Sequence, residues 1–393
     1  MSAHLGERLH TTRKNRGLSQ RELSKLSGVP LSLIRKLEQG EHNDTRLETA
    51  RQLAHALKVP TTRLITEHAE APADPDTVNH WAPVHAALAA PPDPNGNPPE
   101  APTYNGVRDA LQAATPLFST DRYDALTTAL PPLLRDTEAL TNTDPRARPL
   151  RARLLELTGW LMTQTRQFDA AELALQRALD DATDHVQAAA TINTQCWLLL
   201  RRGKLAEARE LAMHWADEAE PRMSRATPAE LSTWGWLLLR LSAMAIRDNR
   251  PGEAEDALRL AHSAAVALGQ EYTPEGDFLR TFGPVTVALK RTENAMVAGQ
   301  SDKVLTLASR IPAHSLKPTS NNRNRHLLDV ANAHTQLRQY AEAMDTFQKI
   351  RAGSPQWLPN QQYARDVLGR MLSKRRTLTS EMRELAELVQ LSV

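Results

Sequence analysis

Gly17-Leu18-Ser19-Gln20-Arg21-Glu22-Leu23-Ser24, continued by Gly28-Val29-Pro30-Leu31-Ser32-Leu33-Ile34-Arg35-Lys36-Leu37-Glu38-Gln39-Gly40, decides how this chain is read. Ser19 is placed as a helix N-cap. Glu22, three residues on, completes a capping box in which two side chains satisfy two orphan amides. Gly28 supplies the positive φ of a tight corner, and Pro30 suits the start of a second helix. Leu23, Leu26, Val29, Ile34 and Leu37 recur at helical spacing and are expected to bury against Leu5, Leu9, Leu47, Leu53 and Leu57. The pattern predicts two short helices meeting at a fixed corner inside a small helical domain over residues 1–66.

The second helix is left with Leu31, Ser32, Arg35, Lys36 and Gln39 pointing outward. Short and basic side chains on the first turns of a helix are what a major groove accepts. The charge agrees: residues 1–66 carry roughly 12 Lys and Arg against roughly 6 Asp and Glu, while the remaining chain is near −4 within a whole-chain value of +2. A basic head on a mildly acidic body is an electrostatic footprint for phosphate.

These residues form a helix-turn-helix signature, and the segment resembles the Cro/repressor-type (XRE) DNA-binding domain over its five expected helices. The resemblance implies double-stranded operator DNA as partner. It places Gln20 on a phosphate, Leu31, Ser32 and Lys36 at base-reading positions, and Arg13 with Glu38 in a buried ion pair. Arg21, Arg35, Gln39 and Asn43 complete the candidate DNA-contacting set. Leu31 departs from the usual amide or hydroxyl reader. It can only pack on a thymine methyl, so specificity there is expected to lean on duplex shape.

A chain of 393 residues exceeds one ordinary domain. Aromatic content of 4% and only 16 glycines favour an all-α protein. The single cysteine, Cys196, has no internal partner, which fits a reducing compartment. The N-terminus lacks a basic-then-apolar signal, and the run Trp236-Leu237-Leu238-Leu239 is far too short to span a bilayer. A cytoplasmic protein with no membrane partner is expected.

Residues 67–102 are crowded with proline, from Pro72 and Pro75 to Pro99 and Pro102, around Asn95-Gly96-Asn97. Helix is not expected to persist there, so the stretch reads as a semi-rigid linker. An apolar island from Trp81 to Leu88 is the part that could dock as a helix. Residues 103–393 then repeat. Arg122-Tyr123-Asp124-Ala125-Leu126, Gln167-Phe168-Asp169-Ala170-Ala171, Lys204-Leu205-Ala206-Glu207-Ala208 and Gln339-Tyr340-Ala341-Glu342-Ala343 share a bulky residue, two small or acidic residues and an alanine. Weaker copies begin at Arg250 and Gln300. Each opens a helix preceded by another amphipathic helix, with a period of roughly 37 to 50 residues. Ala171, Ala208, Ala254, Ala343, Gly159 and Ala331 are small where neighbouring helices must approach closely. The region resembles a tetratricopeptide-like solenoid of about six helix pairs, with 361–376 and 379–391 as a cap or a dimer contact.

No motif suggests catalysis. There is no phosphate loop, nucleophile elbow or His-Glu-x-x-His. His326 and His334, two turns apart on one helix, are about 12 Å apart and too far to share a metal. No cofactor and no metal are expected. In a solenoid the first helix of each pair lines the concave wall. The register fixed by the alanines points Glu156, Trp160 and Thr163 inward, then Asn193, Trp197 and Arg201, then Trp236, Arg240 and Arg247, then Thr286 and Glu293, and last Arg325, Asn332 and Gln336. Amide, guanidinium and indole groups on one surface suit a peptide or another small ligand. Trp160, Trp197, Trp236, Asn193, Arg201, Arg240, Arg247, Glu293, Asn332 and Gln336 are the candidate ligand residues. The same indoles would also serve to fill the inner core.

The joined architecture resembles bacterial regulators that carry an XRE-type head on a tetratricopeptide sensor, several of which respond to small secreted peptides. That resemblance implies a homodimer whose solenoid sets the spacing of two heads about 34 Å apart, one duplex turn. A different reading keeps the head and makes the solenoid a protein-docking platform or a dimerisation scaffold with no small signal.

Overall fold

The computed structural model describes residues 4–42, 45–65, 75–89, 101–274, 277–312, 315–316, 320–375 and 377–391. Among them lie nineteen α-helices and no strand; an isolated antiparallel bridge joins Tyr272 to Phe282.

The head holds α1 (Leu5–Asn15), α2 (Gln20–Ser27), α3 (Leu31–Glu38) and α4 (Leu47–Ala56), closed by a 3-10 turn over Thr61–Arg63. Local chemistry sets the corner. Ser19 accepts from the Glu22 amide, and the Glu22 carboxylate accepts from the Ser19 amide at 2.7 Å. Gly28 ends α2 at φ 72°, a conformation that costs a residue with a Cβ. Leu9, Leu23, Ile34, Leu37 and Leu53 are fully buried together, each contributing about 1.5–3 kcal/mol relative to exposure. Leu26 does not join them and is 60% exposed. Leu23 and Val29 take the core positions on either side of the corner, which leaves Leu26 on the outer side of α2.

The proline-rich stretch is not extended throughout. Residues Pro75–Ala89 form α5, with Pro83 inside it. The proline costs a main-chain hydrogen bond, but Trp81, Val84 and Leu88 are buried against the first helix pairs. Tertiary burial outweighs the local penalty, and α5 is part of the body.

Six helix pairs follow: α6 (Tyr104–Ser119) with α7 (Tyr123–Thr143), α8 (Arg148–Gln164) with α9 (Phe168–Asp180), α10 (His185–Arg201) with α11 (Leu205–Glu218), α12 (Pro228–Arg247) with α13 (Pro251–Leu268), α14 (Pro284–Val297) with α15 (Ser301–Ala308), and α16 (Ser320–Gln336) with α17 (Tyr340–Gly353). Then come α18 (Gln362–Leu372) and α19 (Ser380–Leu388). From α8 to α18, each even-numbered helix packs on the next, making one continuous inner layer.

Every pair turns its corner in the same way. Asp121, Arg166, Gly203, Asn249, Gly299 and Arg338 all have positive φ, between 55° and 77°. The next residue is an N-cap with ψ between 61° and 70° in all six: Arg122, Gln167, Lys204, Arg250, Gln300 and Gln339. This shared corner explains the recurrent sequence pattern, since the bulky residue that opens each copy begins the second helix. Small residues set the spacing inside a pair. A Cβ on Gly159 would lie 2.6 Å from Leu175 Cγ across the α8–α9 contact.

The array also closes on itself. Asp124 at the start of α7 receives a hydrogen bond from Gln356 Nε2 (2.6 Å), and its amide donates to Gln356 Oε1 (3.2 Å). Asp121 is buried beside the hydroxyls of Tyr123, Ser320 and Ser354. The first corner thereby meets the last pair.

The head is fastened to the body. Thr61 Oγ1 donates to the Arg247 carbonyl (2.8 Å), the Thr62 amide to Asp248 Oδ1 (2.9 Å), and Asn249 Nδ2 to the Arg51 carbonyl (3.2 Å). Arg46 pairs with Asp366 (2.9 Å), and Glu48 lies 3.6 Å from Arg370. Thus α4 and the 3-10 turn sit on the α12–α13 corner and reach α18.

Candidate nucleic-acid interface and the inner face of the solenoid

The head is braced from within. Arg13 Nε donates to Glu38 Oε1 (2.6 Å) and Arg13 Nη2 to Glu38 Oε2 (2.7 Å), with both side chains 5% exposed or less. Burial pushes the Glu38 carboxyl up, but hydrogen bonds from Arg13, Gln20 and His10 more than offset this and hold it below its ordinary value. The pair locks α1 to the end of α3, and Arg13 Nη1 adds a bond to the Leu18 carbonyl (2.7 Å). With the corner fixed at one end and the ion pair at the other, α3 is presented as a rigid rod.

Its outer face carries Ser32, Arg35, Lys36 and Gln39, all exposed, with Leu31 half-buried at the first turn. Arg21 on α2 is exposed beside it. Gln20 is committed internally: its side-chain amide donates to Glu38 Oε2 at 2.8 Å. One N–H of that amide is thereby used inside the head, and the second is left for an outside acceptor. Asn43 lies outside the described residues. The exposed face of α3 is therefore the one with open basic and hydroxyl groups.

The ten candidate ligand residues divide into three groups. Asn193, Trp197, Arg201, Trp236 and Arg240 converge between α10 and α12. Arg240 Nε donates to Asn193 Oδ1 (2.9 Å), and its guanidinium lies 5.7 Å from the Trp197 ring and 5.3 Å from the Trp236 ring. Arg201 also lies over the Trp197 ring, at 5.9 Å. Arg247 and Glu293 form a second group, joined at 2.7 Å, with Lys290 Nζ 2.9 Å from the same carboxylate. Burial pushes Glu293 up, but Lys290, Arg247 and Arg325 overcome it, so the carboxyl is held well below its ordinary value.

The remaining three sit elsewhere. Trp160 is covered by Phe278 from the loop before α14, edge to face at 5.9 Å, and is 5% exposed. That loop reaches back across the inner side, and Asp277 pairs with Arg153 of α8 at 2.9 Å. Trp160 is a core position for this reason. Asn332 is saturated by α18, donating to Tyr363 Oη (2.9 Å) and accepting from Arg370 Nη2 (3.1 Å). Gln336 accepts from Ser301 Oγ (2.6 Å) beside the α14–α15 corner. Trp236 is only 2% exposed and uses its indole N–H on the Thr281 carbonyl (3.0 Å), so it offers no more than a ring face.

Two participants were not expected from the sequence. Lys290 lies one turn from both Thr286 and Glu293, so the same register that named those two contains it. Tyr363 belongs to α18, outside the repeat, and no periodicity pointed to it. Its hydroxyl donates to Asp329 Oδ1 at 2.9 Å. Burial pushes the Asp329 carboxyl up to about 6, with Arg325 partly opposing.

No group of three or more metal-ligating side chains occurs among the described residues, and no helix there is long and apolar enough to cross a membrane. A helix-turn-helix family model matches residues 9–64, the segment running from α1 to the closing 3-10 turn. The match makes the head a DNA-binding unit of the transcription-regulator type. No curated protein and no solved structure matches the chain.

Proposed function

We propose that this chain is a sequence-specific transcription regulator that binds an operator as a homodimer and answers to a ligand on the inner face of a tetratricopeptide-like solenoid. The observation that carries the reading is the division of labour between the helices of the head. Ser32, Arg35, Lys36 and Gln39 are open on α3, while α4 and the 3-10 turn are fastened to the body. In this reading Ser32 and Lys36 meet base edges, Leu31 packs on a thymine methyl, and Arg21, Arg35 and Gln39 engage backbone or bases. Two such heads about 34 Å apart fit successive major grooves. A ligand that changes solenoid curvature moves the heads with it, because the hydrogen bonds at the α12–α13 corner leave little free tether.

Selection of random duplexes with the full-length protein tests the first part. Enrichment of a two-fold sequence is expected; failure to enrich any sequence at low ionic strength overturns it. A second reading of the solenoid has its own support. Leu173, Met213, Leu260 and Val266, each on the second helix of a pair, are 39–62% exposed, and apolar side chains on an outer face suit a protein partner. Ligand-dependent stabilisation separates the two readings, since only an occupied inner face raises the melting temperature in the absence of another protein.

A further inference from the structure

The strongest unbalanced feature of the inner face is the Arg240 guanidinium. It lies over the Trp197 ring at 5.7 Å and over the Trp236 ring at 5.3 Å, and its Nε is used on Asn193. Its two terminal nitrogens have no hydrogen-bond partner among the described residues, yet they are not sealed off from solvent. Among the described residues no carboxylate pairs with it. Glu293 is held by Arg247 and Lys290 and also feels Arg325, so Arg240 has no carboxylate of its own. Burial, with a smaller push from Arg247, pulls the Arg240 group down to about 10 against the opposing fields of Cys196 and Glu293, and it stays charged at neutral pH. A desolvated charge without its counter-charge is costly to keep.

We propose that the inner face between α10, α12 and α14 binds a ligand carboxylate, held by the two terminal nitrogens of Arg240 beside the Trp197 and Trp236 rings. With Nε taken by Asn193, those two nitrogens are the donors left, and a flat carboxylate meets them with two parallel bonds. Lys290, over the Trp236 ring at 5.7 Å, adds positive field. The inference rests on the inner face being a ligand site, and it adds the chemical class.

The test uses the full-length protein and three probes: a mixed hexapeptide library with free C-terminal carboxylates, the same library amidated, and succinate. Thermal stabilisation by the free-acid library points to a peptide terminus, and stabilisation by succinate to a small organic acid; either supports the carboxylate. Affinity for the winning probe should fall about 10- to 100-fold in Arg240→Gln, the loss expected for a charge-assisted pair. Arg240→Lys keeps the charge and guards against misfolding; it should recover only part of the affinity, because it lacks the fork. Equal stabilisation by acid and amide libraries, undiminished in Arg240→Gln, overturns the carboxylate assignment and leaves the ligand site standing. No stabilisation by any of the three overturns both.

Discussion

Thr61 gives its hydroxyl proton to the main-chain carbonyl of Arg247 at 2.8 Å, and the guanidinium of that same Arg247 holds Glu293 at 2.7 Å on the inner face. One residue thus touches the head with its backbone and the inner wall with its side chain. Thr61 is fully buried, so its removal leaves polar groups unpaired in the seam. Thr61→Val should loosen the head by about 1–3 kcal/mol. Hydrogen exchange at the Thr62 amide, which donates to Asp248 Oδ1, is the direct readout. Unchanged protection there would show that the seam does not depend on this bond.

The brace inside the head makes a larger prediction. Glu38→Ala strands the buried Arg13 and removes the acceptor of Gln20, at a cost of about 3–5 kcal/mol to the head. Because Glu38 titrates below its ordinary value, its contribution is full above the unfolded carboxylate range and is lost as pH falls through the folded value. Chemical denaturation of the variant should therefore show less acid sensitivity than the parent.

On the groove-facing side, Lys36→Ala and Ser32→Ala should change the ranking of operator sequences, by about 1–3 kcal/mol at the base pair each one reads. Arg35→Ala, if its partner is phosphate, should weaken all sequences alike and reduce the salt slope by about one. Binding titrations across a range of salt distinguish the two. A Lys36 variant with parental affinity and preference would mean that a different face of α3 enters the groove.

The clasp between the first corner and the last pair should be pH-sensitive. Burial raises the Asp121 carboxyl to about 6, against the pull of the Ser320 and Ser354 hydroxyls, Arg323 and Tyr123. A raised value means that the folded state holds the proton more tightly, so this contribution is complete below pH about 4 and disappears as pH rises through 6. Asp121→Asn removes the burden and should stabilise the protein by up to about 3 kcal/mol near pH 8. Asparagine also tolerates the positive φ of this corner. Asp329 titrates in the same window, so the useful quantity is the difference between variant and parent at pH 5 and pH 8.

Close helix approach can be tested at Gly159. Its Cβ would press on Leu175 within the α8–α9 pair, so Gly159→Ala should cost about 1–3 kcal/mol despite the better helix propensity of alanine. A stabilised variant would show that the pair has room to part.

The features that the sequence revealed are those governed by neighbours along the chain. Ser19, Glu22 and Gly28 set the head's corner within ten residues, and Arg13 with Glu38 lie on two helices that this corner places side by side. The bulky residue and alanine of each repeat mark a corner that is equally local. What escaped depends on distant segments. The island from Trp81 to Leu88 could be read as a helix or as passive linker, and the burial of Trp81, Val84 and Leu88 against other pairs is what decides for the helix despite Pro83. Trp160 was assigned to the wall by register, which cannot see Phe278 arriving from a loop more than a hundred residues away. Leu26 had the right spacing for the core, but a helix as short as α2 has little inner surface to fill. The seam at Thr61 and Arg247 uses ordinary polar residues and left no trace in any pattern.

The handshake between Asp124 and Gln356 also limits how this body can evolve. An open stack of helix pairs can be lengthened or shortened one unit at a time, because each unit only needs its neighbours. Here the two ends must find each other, so an inserted or deleted pair would carry the opening corner past its mate and break both bonds between Asp124 and Gln356. Change is instead confined to swapping side chains on a fixed frame, much as a clock keeps its hours while its hands are replaced.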